Sequence, residues 1–410
     1  MDSTVYMLTV MFELSSEMEF PEERYYKLNR ILLSTIGLWP YDDFKIRHFR
    51  FILSLLIMIS FTSTQPLKLF VSEYSFDLLL DVLSYHILFL VCSIKYVTFY
   101  AVLKNIKEFR ERVRNNWDAL KNNREIEIIN KQGTLGKLFT IFIIVLVYTV
   151  IFFLIFLQHI STLLDIAIPL NESRPRELPL PVEYLIDQQK YFYVITIHMS
   201  IGLLFLATSG IATESFSLAN ALHAFGLFKI ASYRMKNILT GINLQREMCV
   251  TKKYAISRNR IIAAVDFHRR AIEFSELLKV SFGRTYLFLF VIGVVSASIN
   301  LFNLSRIVME KDILEIIKSV TMLVLHVVYF ALGNYAGQEF INCDTHVYRT
   351  ICDTKWYNAP LKTQKLIFFL IQKTTKCYRV DAGGMFSPCL EGLATSLSIS
   401  VSYFMVLYSV

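Results

Sequence analysis

The chain has 410 residues, of which 54% are hydrophobic and only 19% charged, with 33 Phe and 22 Tyr. A soluble protein of this length would carry about a quarter charged residues and divide into domains joined by polar linkers, so that class is excluded. The net charge of +8 does not point to nucleic acid, because the basic residues sit between apolar blocks, where they orient a chain in a membrane.

The opening "MDSTVYMLTVMFELSSEMEF" has neither a basic start nor a clean apolar core, so it does not read as a cleaved signal peptide. Residues 1–48 are expected to form a cytoplasmic N-terminal segment, with the first apolar block as insertion signal. Blocks long enough to cross about 30 Å of hydrocarbon follow at 49–71, 78–103, 138–161, 190–216, 282–303, 315–337 and 386–410. The clearest are "LFTIFIIVLVYTVIFFLIFL" and "YLFLFVIGVVSASINLF". The fourth keeps helical periodicity beyond 216 while gaining charge, which predicts a helix running past the bilayer. The predicted fold is all-α, a seven-transmembrane-helix membrane protein. Residues 49–337 form a six-helix region with extensions of spans four and five, 338–385 a cytoplasmic segment, and 386–410 the last helix.

Of the 42 Lys and Arg, 34 fall in four segments: six up to Arg50, nine from Lys104 to Lys137, twelve from Lys229 to Arg284 and seven from Arg349 to Arg379. The positive-inside rule makes those segments cytoplasmic, the N-terminus cytoplasmic and the C-terminus extracellular. A G-protein-coupled receptor has the opposite orientation. Two glycosylation sequons, at Asn171 and Asn303, fall in connections assigned outside. Cys249, Cys343, Cys352 and Cys377 fall in cytoplasmic segments and Cys92 and Cys389 in or beside spans, so neither a disulfide nor a zinc site is expected.

No nucleotide loop, metalloprotease motif or nucleophile elbow occurs, and seven spans with few prolines do not suggest the inverted repeats of a transporter. No enzymatic activity, cofactor or metal is expected. Ionisable residues inside apolar spans are functional candidates. These are Asp81 and His86 in span two, His159 in span three, His198 in span four and His326 in span six. Each could equally serve a hydrogen bond between helices. On the sharper reading, His86 and His198 face one outer-half cavity, with Leu83, Phe89, Phe152, Ile155, Tyr193 and Ile197 as its apolar wall. Lys95, near the inner interface, is expected to snorkel.

The last block carries serine at 396, 398, 400 and 402. At about 100° per residue, Thr395, Ile399, Ser402 and Val410 fall within about 40° of Val406. Leu390, Leu393, Leu397, Val401, Phe404 and Tyr408 fall on the other side. Close helix packing would explain small residues on such a helix.

Several patterns resemble one family, the insect odorant receptors, particularly those of ants, bees and wasps. They are "LLSTIGLWP" before span one, "SIKYVTFYAVLKNIKEFRERVRNNWDAL" after span two, and the C-terminal run "GQEFINCDTHVYRTICDTKWY", "LKTQKLIFFLIQKTTKC" and "DAGGMFSPCLEGLATSLSISVSYFMVLYSV". Two departures are Cys352, where the family usually has Tyr, and Pro388, where it usually has an apolar residue. The chain also lacks the enlarged cytoplasmic loop of the shared co-receptor. The resemblance implies an odour-tuning subunit of a ligand-gated, non-selective cation channel, assembled with that co-receptor as a hetero-tetramer in the plasma membrane of olfactory sensory neurons. Gustatory receptors share this architecture. It implies partners in volatile odorants, permeating cations and membrane lipid, an odorant site between spans two, three, four and six, and a gate at Val406 and Val410. Thr395, Ile399 and Ser402 would line the pore below the gate. It also implies a subunit anchor containing Gln338, Glu339, Trp356 and Tyr357, with residues 331–357 as the first half of a broken seventh helix.

Overall fold

A computed structural model describes residues 24–73, 75–120, 122–160, 165, 176, 178–241, 249–310, 312–376, 378–381, 384 and 386–409. Ten helices make up the described fold: α1 (Lys27–Thr35), α2 (Phe44–Val71), α3 (Phe76–Ala101), α4 (Leu103–Asp118), α5 (Asn123–Gln158), α6 (Phe192–Lys236), α7 (Val250–Glu310), α8 (Ile313–Cys352), α9 (Leu361–Thr374) and α10 (Leu390–Ser409). Six of them, α3, α5, α6, α7, α8 and α10, are long and apolar enough to cross a membrane. Helix α2 has 28 residues, enough to span, but its first two turns carry Lys45, Arg47, His48 and Arg50. The protein is a multi-pass membrane protein.

Side-chain caps start most of the long helices where the chain turns back. Asp43 accepts from the amides of Lys45 and Ile46, Ser75 from Leu78, Asn122 from Arg124, and Asp312 from Leu314 and Glu315. Each cap satisfies amides that a first helical turn leaves unpaired. The long helices alternate in direction. One end of the bundle, the loop end, carries the 178–191 connection. The other, the basic end, carries α1, α4 and α9.

Helix α6 is the hub and packs against α1, α2, α3, α5, α7 and α8. At the basic end, Arg234 on α6 grips Glu125 on α5 with two bonds of 2.7 and 2.8 Å. Asp344 on α8 joins His268 on α7 at 2.9 Å and accepts the Tyr378 amide at 2.7 Å. The turn after α1 depends on Gly37. It sits at φ +74°, and a Cβ there would lie 2.5 Å from the Arg47 carbonyl oxygen and 2.6 Å from the Phe51 amide. Tyr96 seals this turn, donating to the carbonyls of Ile36 and Phe51. The "STIGLWP" motif is thus a tight turn docked on α2 and α3.

Helix α6 runs to Lys236, past the bilayer as its continued periodicity predicts, with Ala, Gly and Phe on all its faces. Two boundaries differ from the sequence reading. Helix α8 continues unbroken to Cys352, so residues 331–352 extend span six and are not half of a broken seventh helix. The expected boundary at 337 therefore falls inside α8. Helix α10 starts at Leu390, since Pro388 disfavours a helical conformation for Ser387 before it.

Candidate functional site

Between α3, α5, α6, α7 and α8 lies a cavity of about 190 Å³. Its walls are almost wholly apolar, with Phe89, Ile151, Leu154, Leu203, Leu206 and Met322 prominent. Space arises where side chains are small, at Ala207 and Gly210 on α6. A Cβ at Gly210 would meet only the Cys92 sulfur, at 3.4 Å. From Leu203 to Glu214 the cavity follows α6 for about 16 Å at the helical rise.

Few polar groups face it. His326 and Ser296 satisfy each other: His326 Nδ1–H donates to the Met322 carbonyl at 2.8 Å, so Nε2 accepts from the Ser296 hydroxyl, also at 2.8 Å. At the basic end of the cavity Lys95 on α3 is ion-paired with Glu214 on α6. The Lys95 ammonium lies 5.0 Å from the Tyr286 ring centroid and 4.6 Å from that of Tyr329. Lys95 does not snorkel. The Glu214 carboxylate and two aromatic faces hold its charge inside the bundle.

Of the eight residues expected to bind ligand, Phe89 lines this cavity and the others do not. Phe152, Tyr193 and Ile197 are 61%, 50% and 61% exposed and face outward from the bundle. Leu83 and Ile155 are half-buried. His86 Nδ1 pairs with the Gln65 carboxamide oxygen at 3.0 Å. His198 accepts from the Tyr184 hydroxyl at 2.8 Å and donates to Ser60 at 3.1 Å. Burial raises the Tyr184 phenol above its usual range, so it stays a donor. These histidines fasten the 178–191 connection and α2 to the bundle. The cavity lies one to three turns deeper than the sequence suggested. Lipid-facing and cavity-facing apolar residues look alike in sequence, whereas the small residues and the Lys95–Glu214 pair were the available signals.

A second cavity of about 170 Å³ lies toward the basic end, sharing Ile143, Glu214, Tyr329 and Leu332 with the first. Its far wall includes Phe386 and Pro388, which lead into α10. Phe386 stacks on Phe290 at 4.0 Å. Asn334 and Gln338 on α8 accept the amides of Cys389 and Leu390, at 3.1 and 3.3 Å. At Gly337 a Cβ would lie 2.1 Å from the Pro388 carbonyl oxygen. Helix α8 therefore reaches from the upper cavity wall to the first turn of α10.

Along α10, Gly392, Ser396 and Ser400 are buried, while Thr395, Ile399, Ser402 and Val406 are exposed. The small-residue strip is the side packed on the bundle. Leu390, Leu397, Val401 and Tyr408, on the side away from Val406, are also exposed within this chain. Val410 lies outside the described residues. Of the anchor residues, Gln338 holds α10, Glu339 lies 3.9 Å from Lys229, Trp356 is half-buried and Tyr357 is 61% exposed.

Asn303 is not in a connection. It is 5% exposed within α7, and its carboxamide donates to Asp81, which removes it as a glycan acceptor. Asn171 and Cys377 lie outside the described residues. The described cysteines Cys92, Cys249, Cys343, Cys352 and Cys389 are free.

A family model described as 7tm odorant receptor matches residues 75–401. No curated protein matches the chain in sequence. Among solved structures, insect olfactory receptor OR5 from Machilis hrabei in complex with eugenol is similar, with TM-score 0.71 and 15% identity over 95% of this chain and 98% of that one. A second structure of OR5 gives TM-score 0.70 and 16% identity, covering 94% of this chain and 97% of that one. At such identities the likeness shows the fold, and the family match shows the family: the chain belongs to the odorant receptor family.

Proposed function

We propose that this odorant receptor family member is an odour-tuning subunit of a ligand-gated, non-selective cation channel. In this reading it assembles with a shared co-receptor as a hetero-tetramer in the plasma membrane of olfactory sensory neurons. The N-terminus is cytoplasmic and the C-terminus extracellular, as the distribution of basic residues supports. The ligand is a small volatile, the class to which eugenol, bound by OR5, belongs.

The observation that carries the reading is the continuity of α8. Met322, Leu325 and Tyr329 wall the upper cavity, and one to four turns on, Asn334, Gly337 and Gln338 hold the start of α10. A ligand that fits the cavity better in one position of α8 would bias the position of α10, because only differential contacts shift an equilibrium. Binding energy would come mainly from apolar burial, about 25 cal/mol per Å². Thr395, Ile399, Ser402 and Val406 would face the central pore, with Val410 beyond them. A ring of valines can close such a pore by dewetting. Gln338, Glu339, Trp356 and Tyr357 would lie at or near the subunit anchor, and Asn171 is the remaining candidate for glycosylation.

The test is whole-cell current on co-expression with the co-receptor, under a panel of volatiles. Gly210→Leu, which fills the cavity, should change the ranking of agonists, whereas Phe152→Ala on the outer face should leave it unchanged. Identical rankings for Gly210→Leu and the unmodified receptor would remove the cavity as ligand site. Val406→Ser should raise the leak without ligand.

A further inference from the structure

We infer that the Lys95–Glu214 pair makes the cavity floor selective for neutral, hydroxyl-bearing apolar ligands, with the ligand O–H donating to the Glu214 carboxylate. This rests on the upper cavity being the ligand site.

The two charges are not equally available. The Lys95 side chain is 6% exposed and that of Glu214 is 28% exposed. Lys95 is turned to its partner and wedged against Tyr286 and Tyr329. Both charges line the upper cavity, but Glu214 also lies in the wall of the second and is the more exposed, so its carboxylate is the charge a ligand reaches more readily. An ionised carboxylate only accepts hydrogen bonds. Its free lone pairs select a donor and offer nothing to an ether or a hydrocarbon. Of the other polar groups on this wall, His326 and Ser296 are already occupied internally, and the Tyr329 phenol lies beside the Lys95 ammonium.

The same pair rejects ions. An anionic ligand would meet Glu214 in surroundings where burial strengthens repulsion. A cationic ligand would have to displace Lys95 and leave its own hydration, with no net charge at the floor in return. A neutral alcohol or phenol loses only one hydroxyl's hydration and regains a charge-assisted bond, which is about twice as strong as a neutral one. Its apolar body then lies along α6 toward Leu203, between Leu206 and Ile151. A site built around such an acceptor disfavours the analogue lacking the donor, because the carboxylate lone pairs that Lys95 does not take then go unmatched.

The experiment compares receptor currents evoked by matched sets. One set is octanol, octyl methyl ether, octane and octanoate; the other is phenylpropanol and its methyl ether. In the unmodified receptor at least one alcohol should be favoured over its ether by about tenfold or more in half-maximal concentration. Glu214→Gln leaves Lys95 unpaired, so the double variant Lys95→Met with Glu214→Gln is measured beside it, with surface labelling to report folding. The preference for alcohol should fall to about twofold or less in the double variant, while the ether response persists. No alcohol preference in the unmodified receptor, or an equal preference in the double variant, overturns the inference. Gly210→Leu separates the two readings. If it alters responses while the double variant keeps the alcohol ranking, the cavity stands and the polar floor falls. If neither variant alters any response, the cavity itself falls as ligand site.

Discussion

The basic half of α6 and helix α10 are both apolar helices, yet they differ most in what surrounds them. From Ala219 to Ser232 almost every α6 side chain is buried. In α10 only Gly392, Ser396 and Ser400 are. The first stretch is buried because it is small, with Ala219, Ala221, Ala224, Gly226 and Ala231 admitting neighbours on every side. A helix that is apolar all round must be enclosed by something. For α6 the enclosure is this chain. For α10 the chain supplies one narrow strip, and lipid or other subunits must supply the rest. Apolar composition marks a helix for burial without naming what buries it.

The strongest way to break the contrast is to damage the packing around α6. Glu125→Ala leaves Arg234 without the carboxylate that holds it against Phe267, over which its guanidinium lies 3.9 Å from the ring centroid. Removing one member of a buried pair typically costs about 3–5 kcal/mol. Thermal unfolding in detergent should show a loss in that range, and Glu125→Leu with Arg234→Leu should lose less than Glu125→Ala alone. Equal losses would mean that packing, and not the stranded charge, sets the cost. Next comes the junction between the two regions. Gly337→Ala would drive a methyl group into the Pro388 backbone and ring, where no flexible side chain can yield. Overpacking of this kind costs about 1–3 kcal/mol. Because the strain falls at the start of α10, currents should drop while surface expression is largely retained.

Which parts of this were legible in the sequence follows from the same contrast. The long helices could be read, because period and length are local properties. The turn at Gly37 was visible as a motif, although its reason, the approach of α2 and α3, was not. The continuous α8 was missed because helix-forming residues run unbroken through 331–352 and nothing local marks where a span leaves the membrane. Of the expected ligand wall, Phe152, Tyr193 and Ile197 face away from the cavity, because they are apolar for the sake of what lies outside the bundle. Asn303 fits a sequon by chance inside a helix. Lys95 and Glu214 were the best clue to the cavity, but Lys95 was judged alone and Glu214 was not considered, and only their pairing across α3 and α6 makes a buried charge tolerable.

A finer test compares the two faces of α10 itself. Ser396 is fully buried and Val401 is 50% exposed. Ser396→Leu should cost about 1–2 kcal/mol, since bulk is forced into a closed strip. Val401→Ala should leave the stability of the separate chain within about 0.5 kcal/mol. If another subunit covers that face, Val401→Ala will instead weaken co-purification with the co-receptor. Equal destabilisation of the separate chain by both substitutions would mean that α10 is packed on two sides within one subunit.

The smallest expected effect lies in the connection entering α10, where Asp381 meets Lys279 of α7 at 2.7 Å. Both side chains are about one-third exposed, at 35% and 29%, so solvent screens the pair. The bond from Lys279 holds the Asp381 carboxyl below its ordinary value, with a further contribution from the Gly384 amide. A carboxyl depressed in the folded state favours folding above its unfolded value, near 4, and loses that contribution as pH falls through the folded value. The window therefore lies below about pH 4, and between pH 5 and 8 the pair should add no slope to stability. Asp381→Asn should cost about 0.5 kcal/mol or less at neutral pH, and raised salt should shrink even that difference. A much larger loss of channel current than of stability would show that the pair acts on the entry to α10, since a merely screened surface contact has too little energy to shift a gate.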